Sequence, residues 1–323
     1  MKIRSAIGAM LASSLILTGC QDATPPAAGA AYPSGPVTLT AGATAGSGFD
    51  ITIRAVVEAL QKENLVDVPL PVENRPGASG AAFLATMVEQ YKGRDDQVSV
   101  TSLSMMMNEL RGNSPYGFDD VTMIARLMTE YFVVVTRPDS PFNNLGDVMT
   151  AIRSDPGSVA VGAANDDQAP FDLLVSAAGG DADTVNYVPF EGGGDQIAAL
   201  RQGGISVAIG GVSEFIDLVT AGDLQPLGVL ADERLPGLDA ATAREQGLDV
   251  TLSNWRGLYG PPDMPGFAVS YWQEVLKEMV ESPTWKQIAE RNQFTTTFMT
   301  GEEFRGFLVE TQVDLEAALE EGR

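Results

Sequence analysis

The chain has 323 residues, of which 44% are hydrophobic, 43 are acidic, 20 are basic and none is histidine, giving a formal net charge of −23. Without histidine there can be no Ser-His-Asp or Cys-His triad, no His-ligated zinc or iron and no imidazole proton shuttle. An acidic chain with no Lys/Arg cluster also argues against a nucleic-acid partner, because phosphate binding needs a basic footprint.

Lys2 and Arg4 precede an apolar run from Ala6 to Leu17 that is too short to span a bilayer. The run ends in Leu17-Thr18-Gly19-Cys20, and Leu-x-Gly-Cys in that position resembles a bacterial lipoprotein signal. That resemblance predicts a leader over residues 1–20 and acylation of Cys20, palmitate being a usual chain. Residues 21–36, rich in Ala, Pro and Gly, read as a flexible tether. Cys20 is the only cysteine, so the mature domain is predicted to lack disulfides and thiolate chemistry. Roughly 290 residues follow, enough for two α/β lobes with a core each. No later apolar stretch has the length of a membrane span, so the protein is expected to be anchored and not embedded.

The folded part opens on Val37-Thr38-Leu39-Thr40, a strand-like alternation. The turn Thr44-Ala45-Gly46-Ser47-Gly48-Phe49-Asp50 follows, and then Phe49, Ile53, Val56, Val57 and Leu60 recur at helical spacing. Strand, glycine turn and helix together make a place where an anion can meet unpaired N–H groups, although any strand-to-helix connection uses Gly and Ser. The same unit recurs. Val68–Val72 leads through Glu73–Gly80 to a helix over Ala81–Tyr91, and Val98–Thr101 leads through Ser102-Leu103-Ser104 to a Met-rich helix. Tyr131–Thr136 is a continuous apolar run, as expected of a buried strand.

A second series then begins. Val159–Val161 leads through Gly162–Gln168 to a helix over Phe171–Ala178, and Val185–Val188 leads through Pro189–Asp195 to a helix over Gln196–Gln202. Ile205–Ile209 leads through Gly210–Ser213 to a helix over Glu214–Ala221, and Leu227–Leu230 is one more strand. Alternating strands and helices imply mostly parallel sheets with the ligand crevice outside the carboxyl ends of the strands. Two series suggest two lobes across one cleft. No G-x-S-x-G elbow, phosphate loop or distinctive carboxylate pair is present, so no enzyme, cofactor or metal is predicted.

Several motifs occur in an order that defines a family: Gly46-Ser47-Gly48-Phe49-Asp50 with Arg54-Ala55, Val72–Ala78, Asp139-Ser140-Pro141 with Leu145, and Asp155-Pro156-Gly157. Val188-Pro189-Phe190 with Gly192-Gly193-Gly194, Glu233–Gly237, and Trp255–Leu258 with Pro261-Pro262 complete the set. The chain resembles the extracytoplasmic solute-binding proteins of tripartite tricarboxylate transporters, over residues 37 to 320. The resemblance implies a type II periplasmic-binding-protein fold: two doubly wound, mostly parallel sheets joined by crossing strands near Val135–Asp139 and Leu230–Arg234. Lobe 1 is expected from residues 37–138 and 232–323, and lobe 2 from 139–231. Helices over Phe267–Val280, Pro283–Arg291 and Glu302–Leu319 are expected to pack on the first lobe.

The resemblance further implies a monomeric receptor that takes a small tricarboxylate or dicarboxylate and passes it to a membrane permease. A ligand-presenting accessory for a sensor kinase is the other role it allows. Mapped by residue, the implied ligand contacts are Gly46, Ser47, Gly48, Asp50, Ser102 and Ser104 in the first lobe. In the second they are Ala163, Ala164, Asn165, Gly192, Gly193, Gly194 and Ser213. Ser213 also suits a cap for the helix at Glu214, and Asp50 a first-turn acid that steadies its own helix. Trp255 and Arg256 suit either the cleft or the lobe junction. Two departures from the family pattern, Asn165-Asp166-Asp167-Gln168 and Glu191, add carboxylates beside an anion pocket and favour a smaller, less charged or amide-bearing ligand. The Asp166-Asp167 pair lacks the spaced ligand set of a calcium loop.

Overall fold

The computed structural model describes residues 32–164 and 166–321. The leader, Cys20, the tether as far as residue 31, and Asn165 therefore lie outside the described residues. Thr38–Ala41 forms β1, and Gly48–Lys62 forms α1, whose N-cap Ser47 accepts from the Asp50 N–H at 3.3 Å. Ile53, Val56, Val57 and Leu60, spaced for one helix face, are all buried. β2 (Val72–Asn74), α2 (Ala81–Gln90), β3 (Gln97–Ser102) and α3 (Leu103–Leu110) follow, and β2 and β3 flank β1 in parallel.

The next strand, β4 (Thr122–Thr136), is 15 residues long and belongs to both lobes. After it come α4 (Leu145–Ser154), β5 (Ala160–Ala163), α5 (Gln168–Ala177), β6 (Asn186–Pro189), α6 (Gly193–Gln202), β7 (Val207–Gly211), α7 (Val212–Thr220) and β8 (Gln225–Val229). The chain closes with β9 (Ser253–Gly260), α8 (Gly266–Glu281), α9 (Pro283–Asn292), β10 (Thr295–Thr300) and α10 (Gly301–Glu321). The strands run in the order β2-β1-β3-β9-β4-β7-β5-β6, with β8 and β10 also on β4. Each lobe keeps a parallel set, β2-β1-β3 and β6-β5-β7, and antiparallel pairs through β4 and β9 join the two.

Two α/β lobes on crossing strands are thus present, and their sheets are mixed because the crossing strands are antiparallel. β4 pairs with β9 up to Tyr131↔Ser253, and from Phe132↔Gly211 it pairs with β7. The sequence reading put the crossings near 135–139 and 230–234. Hydrogen bonding carries the outward crossing at 131–132. On the return, the Leu230 N–H donates to the Phe132 carbonyl and the Leu252 N–H to the Leu230 carbonyl, and Leu238, Ala240, Ala243, Leu248 and Val250 are buried with the second-lobe strands.

Alternation along β4 explains why Tyr131–Thr136 is apolar on both sides. Phe132 and Val134 enter one core with Val161, Ile209 and Phe171, while Val133 and Val135 enter another with Ala208, Val212 and Phe215. The first lobe is built the same way. Leu258 faces Leu39, Ile53, Trp272 and Trp285, while Tyr259 and Trp255, on the other face of β9, pack with Phe83, Met106 and Phe304. With both faces covered, each sheet is held rigidly, and its strand ends are fixed platforms for the loops between the lobes.

Candidate functional site

Three glycines that open helices meet at one point. Gly48 begins α1, Gly193 begins α6 and Gly211 precedes α7, and each has an N–H with no partner inside its helix. A single side chain takes all three. Glu214 Oε1 accepts from the Gly48 N–H at 3.0 Å and from the Gly193 N–H at 2.8 Å, and its Oε2 accepts from the Gly211 N–H at 3.0 Å. Converging helix N-termini favour a negative charge at this point through both their donors and their dipoles. Glycine is required for the approach: a Cβ on Gly193 would lie 2.8 Å from Glu214 Cβ, and one on Gly192, at φ +157°, would lie 2.5 Å from Ser47 Cβ.

Beside Glu214 is a buried ion pair. Glu130 of β4 is 0% exposed, and its Oε1 accepts from Arg256 Nε at 2.9 Å and Nη2 at 2.7 Å. Its Oε2 accepts from the Ser213 hydroxyl at 2.7 Å. Arg256, on β9, also lies over the Phe49 ring, 5.3 Å from the centroid. The pair therefore ties the crossing strands to helices of both lobes.

The space between these groups has a volume of about 30 Å³, enough for about one water molecule. Ala43, Ser47, Gly48, Phe49 and Ser79 line it from the first lobe, and Ala164, Asp166, Asp167, Glu191, Gly192 and Glu214 from the second, with Arg256 at the crossing. Among the described lining residues four are acids and one is basic. Burial, then Glu130, push the Glu214 carboxyl up to about 7 against the Gly193 N–H, Arg256 and the Gly211 N–H. Burial, Asp166 and Glu214 raise Asp167 well above the usual carboxylate range, with Arg256 and the Ala164 backbone offsetting part of this. Among the described residues no group of three or more Asp, Glu, His or Cys side chains is placed to hold a metal ion.

Of the residues singled out from sequence, Ser47, Gly48, Ala164 and Gly192 line this space. Gly193 donates to Glu214. Gly46 and Gly194 pack lobe against lobe, a Cβ on Gly46 coming within 3.8 Å of Gly194 Cα. Ser213 lies in the first turn of α7 rather than capping it, because the helix starts at Val212 and Glu214 takes the Gly211 N–H. Asp50 is not on the cavity. Its carboxylate accepts from the Gly46 N–H and Asn74 Nδ2, each at 2.9 Å, and from Arg54 Nε. Burial raises its pKa, and Arg54, the Gly46 N–H and Asn74 outweigh that, so it lies below the usual value.

Ser102 and Ser104 are likewise buried off the cavity. Ser102 Oγ accepts from the Ser104 N–H at 3.1 Å, and the Ser104 hydroxyl donates to the Ser79 carbonyl at 3.2 Å, bracing the loop that carries Ser79. Ala163 ends β5, fully buried, and accepts from the Phe190 N–H at 3.0 Å. Asn165 lies outside the described residues. Ala43, Phe49, Ser79 and Glu130 were not singled out; Glu130 is an isolated acid ahead of an apolar strand, and that isolation was the available signal.

The contact of Gly192 with Ser47 is testable. Gly192→Val is expected to push α6 away from α1, cost about 1–3 kcal/mol and enlarge the radius of gyration in small-angle scattering. Unchanged scattering and stability would show that the lobes do not need this close approach.

Two α/β lobes on crossing strands, with helix N-termini from both turned on one carboxylate, define a solute-binding protein of the periplasmic type. The chain belongs to the tripartite tricarboxylate transporter receptor family, whose sequence model matches residues 53–321. A curated relative, the UPF0065 protein in the gbd 5′ region of Cupriavidus necator, is 22% identical over 293 residues, covering 90% of this chain and 88% of its own. Among solved structures, the periplasmic binding protein BugD superposes with a TM-score of 0.83 at 15% identity, covering 90% of this chain and 98% of its own. MatC from Rhodopseudomonas palustris, solved with bound malate, gives 0.78 at 21% identity, covering 88% and 98%. Identities this low carry the fold and no more. No helix among the described residues is long and apolar enough to cross a membrane.

Proposed function

We propose that this chain is an extracytoplasmic lipoprotein, acylated at Cys20, that captures a small carboxylate between its lobes and delivers it to the membrane subunits of a tripartite tricarboxylate-type transporter. Amides of both lobes already converge on one carboxylate, and this observation carries the reading. The family match supports it, as do the malate and adipate seen in two structures of the same fold. In this reading the protein works as a monomer, with lobe 1 formed by residues 37–131 and 253–321 and lobe 2 by 132–252, a division supported by core membership. The mechanism is cleft closure: a solute held by both lobes favours the closed arrangement by its differential contacts.

A thermal-shift screen of the chain lacking residues 1–20 against mono-, di- and tricarboxylates tests this. A bound acid at a hundred times its Kd is expected to add about 2.7 kcal/mol of stability. The reading fails if no carboxylate raises the melting temperature.

A further inference from the structure

Capping α7 needs only the bond from the Gly211 N–H to Glu214 Oε2, three residues away. The other oxygen does something a cap does not require. It accepts from the first N–H of α6 and from the first N–H of α1, 166 residues away in the other lobe. A carboxylate that draws N–H donors from helix starts in both lobes is behaving as a bound anion would. The remaining space of about 30 Å³ has no room for an organic acid beside it.

We propose that Glu214 is a built-in occupant of the carboxylate subsite, and that a solute carboxylate reaches the Gly48 and Gly193 amides only by displacing it. This deepens the carboxylate-receptor reading and rests on it. Two like charges cannot share those donors, so Glu214 has to leave as the solute arrives, and its departure breaks the interlobe bond to Gly48. The displaced side chain remains near Asp166, Asp167 and Glu191, while Arg256 stays committed to Glu130. Glu214 thereby weakens carboxylate binding and sets a threshold that only a solute with compensating contacts elsewhere in the cleft can pass.

The experiment is titration calorimetry of malate, adipate and citrate at pH 8 on the wild type, Glu214→Ala and Glu214→Asp, with circular dichroism to confirm folding. Aspartate keeps the charge and the reach to Gly211 but is one methylene too short to span to Gly48, so it decides the matter if the alanine variant does not fold. Both variants are expected to bind at least one of the acids ten times more tightly than the wild type. Their unliganded radius of gyration is also expected to rise. If the wild type binds an acid and the folded variants bind it equally or more weakly, Glu214 is no competitor and the carboxylate-receptor reading stands. Absence of binding to all three forms overturns both.

Discussion

Replacing Arg256 with Met is expected to cost about 3–5 kcal/mol of folding stability, because it strands a buried carboxylate without a cation. Glu130 is 0% exposed, and both Arg256 donors go to its Oε1 at 2.7 and 2.9 Å. The surface pair Arg201–Asp223, at 3.0 Å with both side chains about half exposed, sets the contrast: water screens it, and its loss is expected to cost about 1 kcal/mol or less. Removing both partners tests the mechanism. Arg256→Met with Glu130→Met is expected to recover more than half of the loss. What stays unpaid is the Ser213 hydroxyl, left without its acceptor at 2.7 Å. Urea unfolding of the three proteins checks this. A single-variant loss under 1 kcal/mol, or a double variant no better than the single one, would mean the pair is not desolvated as its burial requires.

That ion pair also shows where the sequence stopped being informative. The glycine turns at Gly46–Gly48 and Gly192–Gly194 were legible because strand, turn and helix are adjacent in the chain and each has its own periodicity. Helices α8, α9 and α10 came from the family resemblance, and their bounds agree with it to within one or two residues. Strands β9 and β10 and the first half of β4 were not legible. Ser253–Gly260 reads SNWRGLYG and Thr122–Glu130 reads TMIARLMTE, mixtures that match neither period, since what makes them strands is pairing with each other and burial on both faces. Glu130 and Arg256 sit on those strands, 126 residues apart, so no local pattern brings them together. Asp50 shows the reverse case. Its spacing of four to Arg54 was visible, and that local pairing absorbs the carboxylate placed by resemblance at the ligand. Glu214 stood in the sequence only as the first residue of a predicted helix. Its contact with Gly48 depends on how the lobes close, which the sequence does not encode locally.

The domain is expected to lose stability as pH rises from about 5 to 8, and Glu214→Gln to make that slope shallower. Glu214 ordinarily titrates near 4.5, and burial followed by Glu130 pushes it up to about 7 in the fold. Between those values the folded chain keeps a proton that the unfolded chain has released, so stability falls as pH rises. The contribution is complete below 4.5 and gone once pH passes 7. At 1.36 kcal/mol per unit this is on the order of 3 kcal/mol. Asp167, also raised, adds to the slope in the same direction. Asp50 and Asp96 are lowered and act oppositely, but their stability is lost only as pH falls below the ordinary carboxylate range near 3.8. The groups around Glu214 are Glu130 on β4, Arg256 on β9, and Asp166, Asp167 and Glu191 on loops of the second lobe. Because the chain has no histidine, no side chain with an ordinary pKa titrates between 5 and 8. A slope in that window therefore belongs to carboxyls moved there by the fold. Melting temperatures of the wild type and Glu214→Gln across pH 4.5 to 8.5 decide it. Glutamine also gives up hydrogen bonds and lowers the whole curve, so the level is uninformative and the slope is the readout. Parallel curves for the two proteins would show that Glu214 is already ionised at pH 5, and that three amides and Arg256 outweigh its burial.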